Sequence, residues 1–148
     1  MPLIIDIQGF KIGKDKFITK ELAAYDGNKV THYVFKPPFR INSLSPEFHQ
    51  QATWLMKNHH CINWEDGFTP LHKCADIIRQ ITTPFDVVYV KGREKAEYLR
   101  QFTTVPIMEL AETPCIQKSK PSCFYHMNNY CICALTNVYD LHNYFLML

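Results

Sequence analysis

Phe85-Asp86-Val87-Val88-Tyr89-Val90 is a nearly unbroken apolar run, rich in β-branched residues and only six positions long. Such a run suits a strand buried on both faces, the condition of a parallel strand beneath helices. Gly92 then lets the chain turn, Arg93 to Phe102 reads as a helix, and Val105 to Leu110 reads as a second short strand. Together these segments form a βαβ unit, with residues 85–90 as its expected central strand.

Upstream, Ser45-Pro46-Glu47 carries an N-cap and a proline at the first helical position. Phe48, Ala52, Leu55 and Met56 follow at helical spacing, so this helix should run to about Asn58. After an irregular stretch from His59 to Gly67, Thr69-Pro70 repeats the helix-start signal ahead of Leu71, Cys74, Ala75 and Ile78. The first 40 residues read as three antiparallel strands: Pro2 to Phe10, Lys16 to Tyr25, and Val30 to Lys36. Asp26-Gly27-Asn28 turns the second into the third, and Pro37-Pro38 ends the third. At the other end, Cys131, Ala134, Leu135, Val138, Leu141 and Phe145 form one helical stripe over Cys131 to Phe145. The order is an α/β succession, three antiparallel strands and then parallel ones, which predicts a mixed sheet flanked by helices.

With 148 residues, 47% of them apolar and 20% charged, the chain suits one domain over residues 1–148 with a core of its own. That composition excludes intrinsic disorder. A formal charge of +2 is too small to draw nucleic acid by its long-range field, so any such site must be a local patch. The opening MPLIIDIQGF places Asp6 after three apolar residues, and no apolar run approaches the roughly 20 residues of a membrane span. An intracellular protein, cytoplasmic or nuclear, is the expectation. In that compartment the six cysteines should not form a disulfide framework.

Four of those cysteines lie between Cys115 and Cys133. Cys123 and His126 make a C-x₂-H chelate that a single turn can present, and zinc favours thiolate and imidazole in a tetrahedral cage. Cys131 and Cys133 compete for a third position. On a helix they point about 200° apart. Cys131 continues the apolar stripe, whereas Cys133 shares a face with Asn137, so Cys133 is the better ligand. The competing reading makes all these cysteines small buried apolar residues. His59-His60, with His72 further on, could suggest another metal site, but adjacent histidines beside Asn58 read as exposed loop residues, and Glu65-Asp66-Gly67 reads as a turn. Lys91, Arg93, Lys95 and Arg100 cluster in sequence; Lys11, Lys14, Lys16 and Lys20 lie in the first strands, and Lys118 and Lys120 precede Cys123. Joined with Tyr89, Phe124 and Tyr125 they could form a patch for single-stranded RNA, or they could be an ordinary solvated surface.

The element order resembles the RNase H-like fold of the DEDD-type 3′ to 5′ exonucleases. Where that family has Asp-x-Glu on its first strand, this chain has Asp6-Ile7-Gln8; where it has later aspartates, this chain has Lys95 and, in Ala134-Leu135-Thr136-Asn137-Val138, Asn137. Two-metal hydrolysis needs about four carboxylates around two ions roughly 4 Å apart. Only Asp6 is kept, so the resemblance implies a degenerate centre and a pseudoenzyme without ordinary Mg²⁺-dependent exonuclease activity. A nearer resemblance is to the Maelstrom domain, an RNase H-like fold that has lost the catalytic set. It is carried by Cys123-Phe124-Tyr125-His126 with Cys133-Ala134-Leu135, Lys20-Glu21-Leu22, Phe35-Lys36-Pro37-Pro38 and Val88-Tyr89-Val90-Lys91. It implies a structural Zn²⁺ held by Glu21, Cys123, His126 and Cys133. It also implies binding of single-stranded RNA through Lys91, Arg93, Lys95, Lys118 and Lys120, and a role in small-RNA-mediated silencing of transposons. Two alternatives remain: an active nuclease in which Asp6, Asp86 or Glu109 builds an altered metal centre, and a catalytically inert protein-interaction module.

Overall fold

The computed structural model describes residues 2–110 and 132–147. Three antiparallel strands come first: β1 (Leu3–Gly13), β2 (Lys16–Tyr25) and β3 (Val30–Lys36). Helix α1 (Pro46–Asn58) follows, and then β4 (Thr69–Pro70), α2 (Cys74–Thr82), β5 (Val88–Val90), α3 (Arg93–Arg100), β6 (Ile107–Glu109) and α4 (Ala134–Leu146). The strands form one six-stranded sheet in the order β4-β3-β2-β1-β5-β6. Pairing is antiparallel within β1–β2–β3 and parallel at β1–β5, β5–β6 and β3–β4, so the sheet is mixed, as expected.

The central strand is β1. All of Leu3 to Phe10 is buried, because β1 lies between β2 and β5 and helices cover both faces. Residues 85–90 supply only the three-residue β5, one place nearer the edge. Period-two alternation divides the core into two layers. Leu3, Ile5 and Ile7 pack with Leu22, Val88 and Val90 against Cys74 and Ile78 of α2 and Ala96 and Leu99 of α3. Ile4 and Ala23 pack on the opposite face against Ala134, Val138 and Leu141 of α4. A third cluster joins Phe10 and Trp64 to Ala52 of α1.

Several boundaries differ from the sequence reading. Thr69-Pro70 does not begin a helix. It extends the sheet edge beside Phe35 and Lys36, where a proline lacking its N–H is tolerated, and a 3₁₀ turn at Leu71–Lys73 leads into α2. Helix α4 begins at Ala134 rather than Cys131; Cys133 is its N-cap, with an extended backbone. Cys131 lies outside the described residues. Cys61 is disulfide-bonded, against the expectation from compartment, whereas Cys74 carries a thiol. Gly9 is required where the β1–β2 register shifts: a Cβ there would overlap the Ile18 carbonyl.

Candidate functional site

Ile4 of β1 faces α4, and Asp6, two residues on, meets the same helix, with Gln8 following on that face of the strand. Asp6 and Gln8 are both buried. Asn137, one turn into α4, donates its amide to Asp6 Oδ2 at 2.9 Å, and Gln8 Nε2 donates to the same oxygen at 3.2 Å. Lys95, in the first turn of α3, reaches across the end of β5 and places Nζ 2.7 Å from Asp6 Oδ1. Asp6, Gln8, Lys95 and Asn137, the four positions that the resemblance singles out, thus converge in space. They meet as one anion saturated by a cation and two amides. The other acidic candidates do not join them. Leu3 pairs with Val88, so Asp86 lies five residues, roughly 16 Å, back along the strand direction from the level of Asp6. Glu109 pairs with Val90, whose side chain packs into the α2–α3 layer, the face away from Asp6.

The second predicted cluster is adjacent. Glu21 pairs with Gln8 across β1–β2 and is fully buried. Its Oε1 accepts the Ala134 N–H at 2.7 Å, and its Oε2 lies 3.7 Å from Cys133 Sγ. His32 of β3, which the sequence reading passed over, donates from Nε2 to Glu21 Oε2 at 2.8 Å. Only its one-in-two alternation with Val30 and Val34 hinted at its direction. A tetrahedral zinc with Zn–S of about 2.3 Å and Zn–O of about 2.0 Å sets its sulfur and oxygen about 3.5 Å apart. Glu21 and Cys133 fit two adjacent corners of such a cage. Cys123 and His126 lie outside the described residues, and among the described residues no group of three or more His, Cys, Asp and Glu is arranged to hold a metal ion.

Of the predicted nucleic-acid residues, Lys91 and Arg93 are exposed, with Arg93 Nε bonded to Glu97 at 3.1 Å, and Lys95 is committed to Asp6. Lys118 and Lys120, with Phe124 and Tyr125, lie outside the described residues. Tyr89 is half-buried, its ring packed on Phe145 with centroids 5.0 Å apart. Lys20 is no surface charge either. It is 2% exposed, and its ammonium donates to the carbonyls of Phe35 at 3.0 Å, Trp64 at 2.7 Å and Asp66. Burial lowers it to about 8, against the opposing pull of Asp66 and Glu65. His60 is fully buried rather than exposed: its Nδ1 accepts the Ile62 N–H at 3.2 Å, and its Nε2 donates to the Gly9 carbonyl at 3.3 Å.

A cleft of about 770 Å³ opens beside the Asp6 cluster, between α1 and α3, with Gln8 and Lys95 on its inner wall. Trp54 and His59 form one side, Tyr98 and Gln101 the other. His59 is held below its usual value first by burial and then by Lys95, with Asp6 opposing, so its ring is neutral at pH 7. Burial pushes Tyr98 up to about 12 despite its contact with Thr19 Oγ1 at 2.9 Å, which leaves it a neutral phenol.

Compared with protein-family models, curated proteins and solved structures, the chain matches none of them. Among the described residues, no helix is long and apolar enough to cross a membrane.

Proposed function

We propose that this chain is a catalytically silent protein of the RNase H-like, Maelstrom type, zinc-stabilised and binding single-stranded RNA, with a role in small-RNA-mediated silencing of transposons. The observation that carries the reading is the ion pair of Lys95 with Asp6. A two-metal nuclease gathers carboxylates so that two dications can bridge the attacking and leaving oxygens. At the corresponding positions here, one carboxylate is neutralised by an ammonium at 2.7 Å and the two remaining groups are amides. The strand sequence β3-β2-β1-β5-β6, with its first three members antiparallel, also supports the RNase H-like reading. In this reading Glu21 and Cys133 hold zinc together with Cys123 and His126. The metal would supply a closed structural crosslink, and His32, bonded to Glu21 Oε2, would help orient that carboxylate, as outer partners of metal ligands do.

The test combines three measurements on the purified full chain. Elemental analysis should find one zinc per chain, lost in Cys133→Ala and in Cys123→Ala. A labelled single-stranded RNA should bind at low salt, with affinity falling as salt rises. Mg²⁺ or Mn²⁺ should elicit no processive nucleotide release. Zinc-free protein of unchanged stability would overturn the metal assignment, and release of nucleotides that Asp6→Asn abolishes would overturn catalytic silence.

A further inference from the structure

We infer that the cleft between α1 and α3 takes one base of a single-stranded RNA on the open face of the Trp54 indole; this deepens the RNA-binding reading and rests on it. Trp54 is 57% exposed on a helix that buries only Ala52 among its thirteen residues, so it contributes little to the core. His59 lies beside it, ring centroids 6.4 Å apart and planes within 23° of parallel, so the two rings face the cleft in nearly the same orientation. A planar ligand that stacks on the indole would cover apolar surface that the core leaves exposed.

The remaining lining suits a nucleobase better than an apolar side chain. Gln51, one turn before Leu55 on α1, and Gln101, at the end of α3, border the space on opposite sides. Each carboxamide offers a donor and an acceptor side by side, the pattern that base edges present. The exposed ammoniums of Lys11 and Lys16 stand at the mouth, where the flanking phosphates of a threaded strand would pass. Glu97 on the facing wall is neutralised by Arg93, and Lys95 by Asp6, while the exposed carboxylates of Asp15 and Glu94, which also line the cleft, offset Lys11 and Lys16, so the lining as a whole is close to neutral. A hydrogen-bonding, partly aromatic cleft of balanced charge matches an uncharged base, with Lys11 and Lys16 left to meet the adjoining phosphates. The volume, about 770 Å³, is within the range of small-molecule sites.

Tryptophan emission gives a direct readout, because the chain has two tryptophans and the other, Trp64, is 2% exposed. Ten-nucleotide oligouridine and oligoadenosine are titrated into the full chain at about 50 mM salt, following both emission and the anisotropy of a labelled oligomer. Binding should quench Trp54, and Trp54→Leu should weaken affinity about tenfold while circular dichroism stays unchanged. With two phosphates neutralised, log affinity should fall with log salt with a slope of about −1.4. Unquenched RNA binding that Trp54→Leu leaves intact overturns this placement while the broader RNA reading stands. No binding of either oligomer overturns both. Self-association that Trp54→Leu abolishes, without quenching by RNA, assigns the face to a second copy and overturns the inference.

Discussion

Removing Lys95 should cost more stability than removing the charge it pairs with. The ammonium lies 2.7 Å from Asp6 Oδ1, and the two side chains are 31% and 2% exposed. At that separation and an effective dielectric of about 20, the gross attraction is about 6 kcal/mol. Desolvation of the carboxylate, and the water that still reaches the lysine, should reduce the measurable coupling to about 2 to 3 kcal/mol. The two single substitutions are not equivalent. In Asp6→Asn the lysine can turn into solvent and the amide keeps the volume, at about 1 kcal/mol. In Lys95→Met a buried carboxylate remains with only the amides of Gln8 and Asn137, at about 3 kcal/mol. Urea denaturation followed by circular dichroism on both singles and the double gives the cycle, and the Lys95→Met midpoint should fall by about 1.5 M. A coupling under about 0.5 kcal/mol, or a larger loss in Asp6→Asn, would refute the view that this pair neutralises the centre.

Lys20→Met should destabilise by about 3 kcal/mol, since three carbonyls lose their donor. The sign of its pH dependence is distinctive. Folding lowers Lys20 to about 8 from 10.5, so between those values the unfolded chain holds the extra proton and the wild type gains stability as pH rises. The gap between wild type and Lys20→Met, measured by urea midpoints at pH 7.5 and 10, should therefore widen; a narrowing gap would mean that burial does not dominate. Gly9→Ala should lower thermal stability sharply, by more than about 3 kcal/mol, because the added methyl meets the Ile18 carbonyl backbone; a midpoint within a degree of wild type would show that the register shift yields easily. His142→Leu should raise stability by about 1 kcal/mol in the same assay. It replaces a buried Nε2 that has no hydrogen-bond partner among the described residues, and a loss would reveal a polar role for the ring.

What the sequence made legible was local. Proline and glycine punctuation placed β2, β3 and the start of α1 within a residue of their bounds, because Pro46, Pro37-Pro38 and Asp26-Gly27-Asn28 restrict the backbone wherever they occur. The failures were non-local. Thr69-Pro70 is a strand only because Phe35 and Lys36 lie alongside it. Lys20 and His60 look like surface residues, but residues 59–68 fold back on the sheet, where Trp64 and Asp66 join Phe35 in supplying carbonyls to Lys20 and His60 packs against Phe10 and Gly9 of β1. The same holds for the site. Asp6, Gln8, Lys95 and Asn137, and the pairing of Glu21 with Cys133, were singled out by resemblance alone, and the structure shows each set close in space. Trp54 was not singled out. Its importance depends on a cleft formed by two helices 40 residues apart in sequence, and no spacing within α1 signals it.

The two polar clusters are better understood as one device for seating α4. Cys133 is the N-cap but makes no side-chain cap bond, so the first helical N–H, that of Ala134, needs a partner from elsewhere. Glu21 Oε1 supplies it, and a carboxylate at a helix N-terminus also meets the favourable end of the dipole. One turn later Asn137 is anchored on Asp6. Glu21 and Asp6 stand on neighbouring strands with the same facing, so they fix the helix at two successive turns and set both its axial position and its rotation. The division of labour within Glu21 follows. Oε1 is consumed by the cap, which turns Oε2 toward the Cys133 thiol and the His32 imidazole. A carboxylate fixed in this way loses little further freedom if it also ligates a metal, and a metal that draws on Cys133 would tighten the turn from which Asn137 reaches Asp6. Asp6 therefore has a structural role of its own: bonded to Lys95 of α3 and Asn137 of α4, it holds two helices to the central strand.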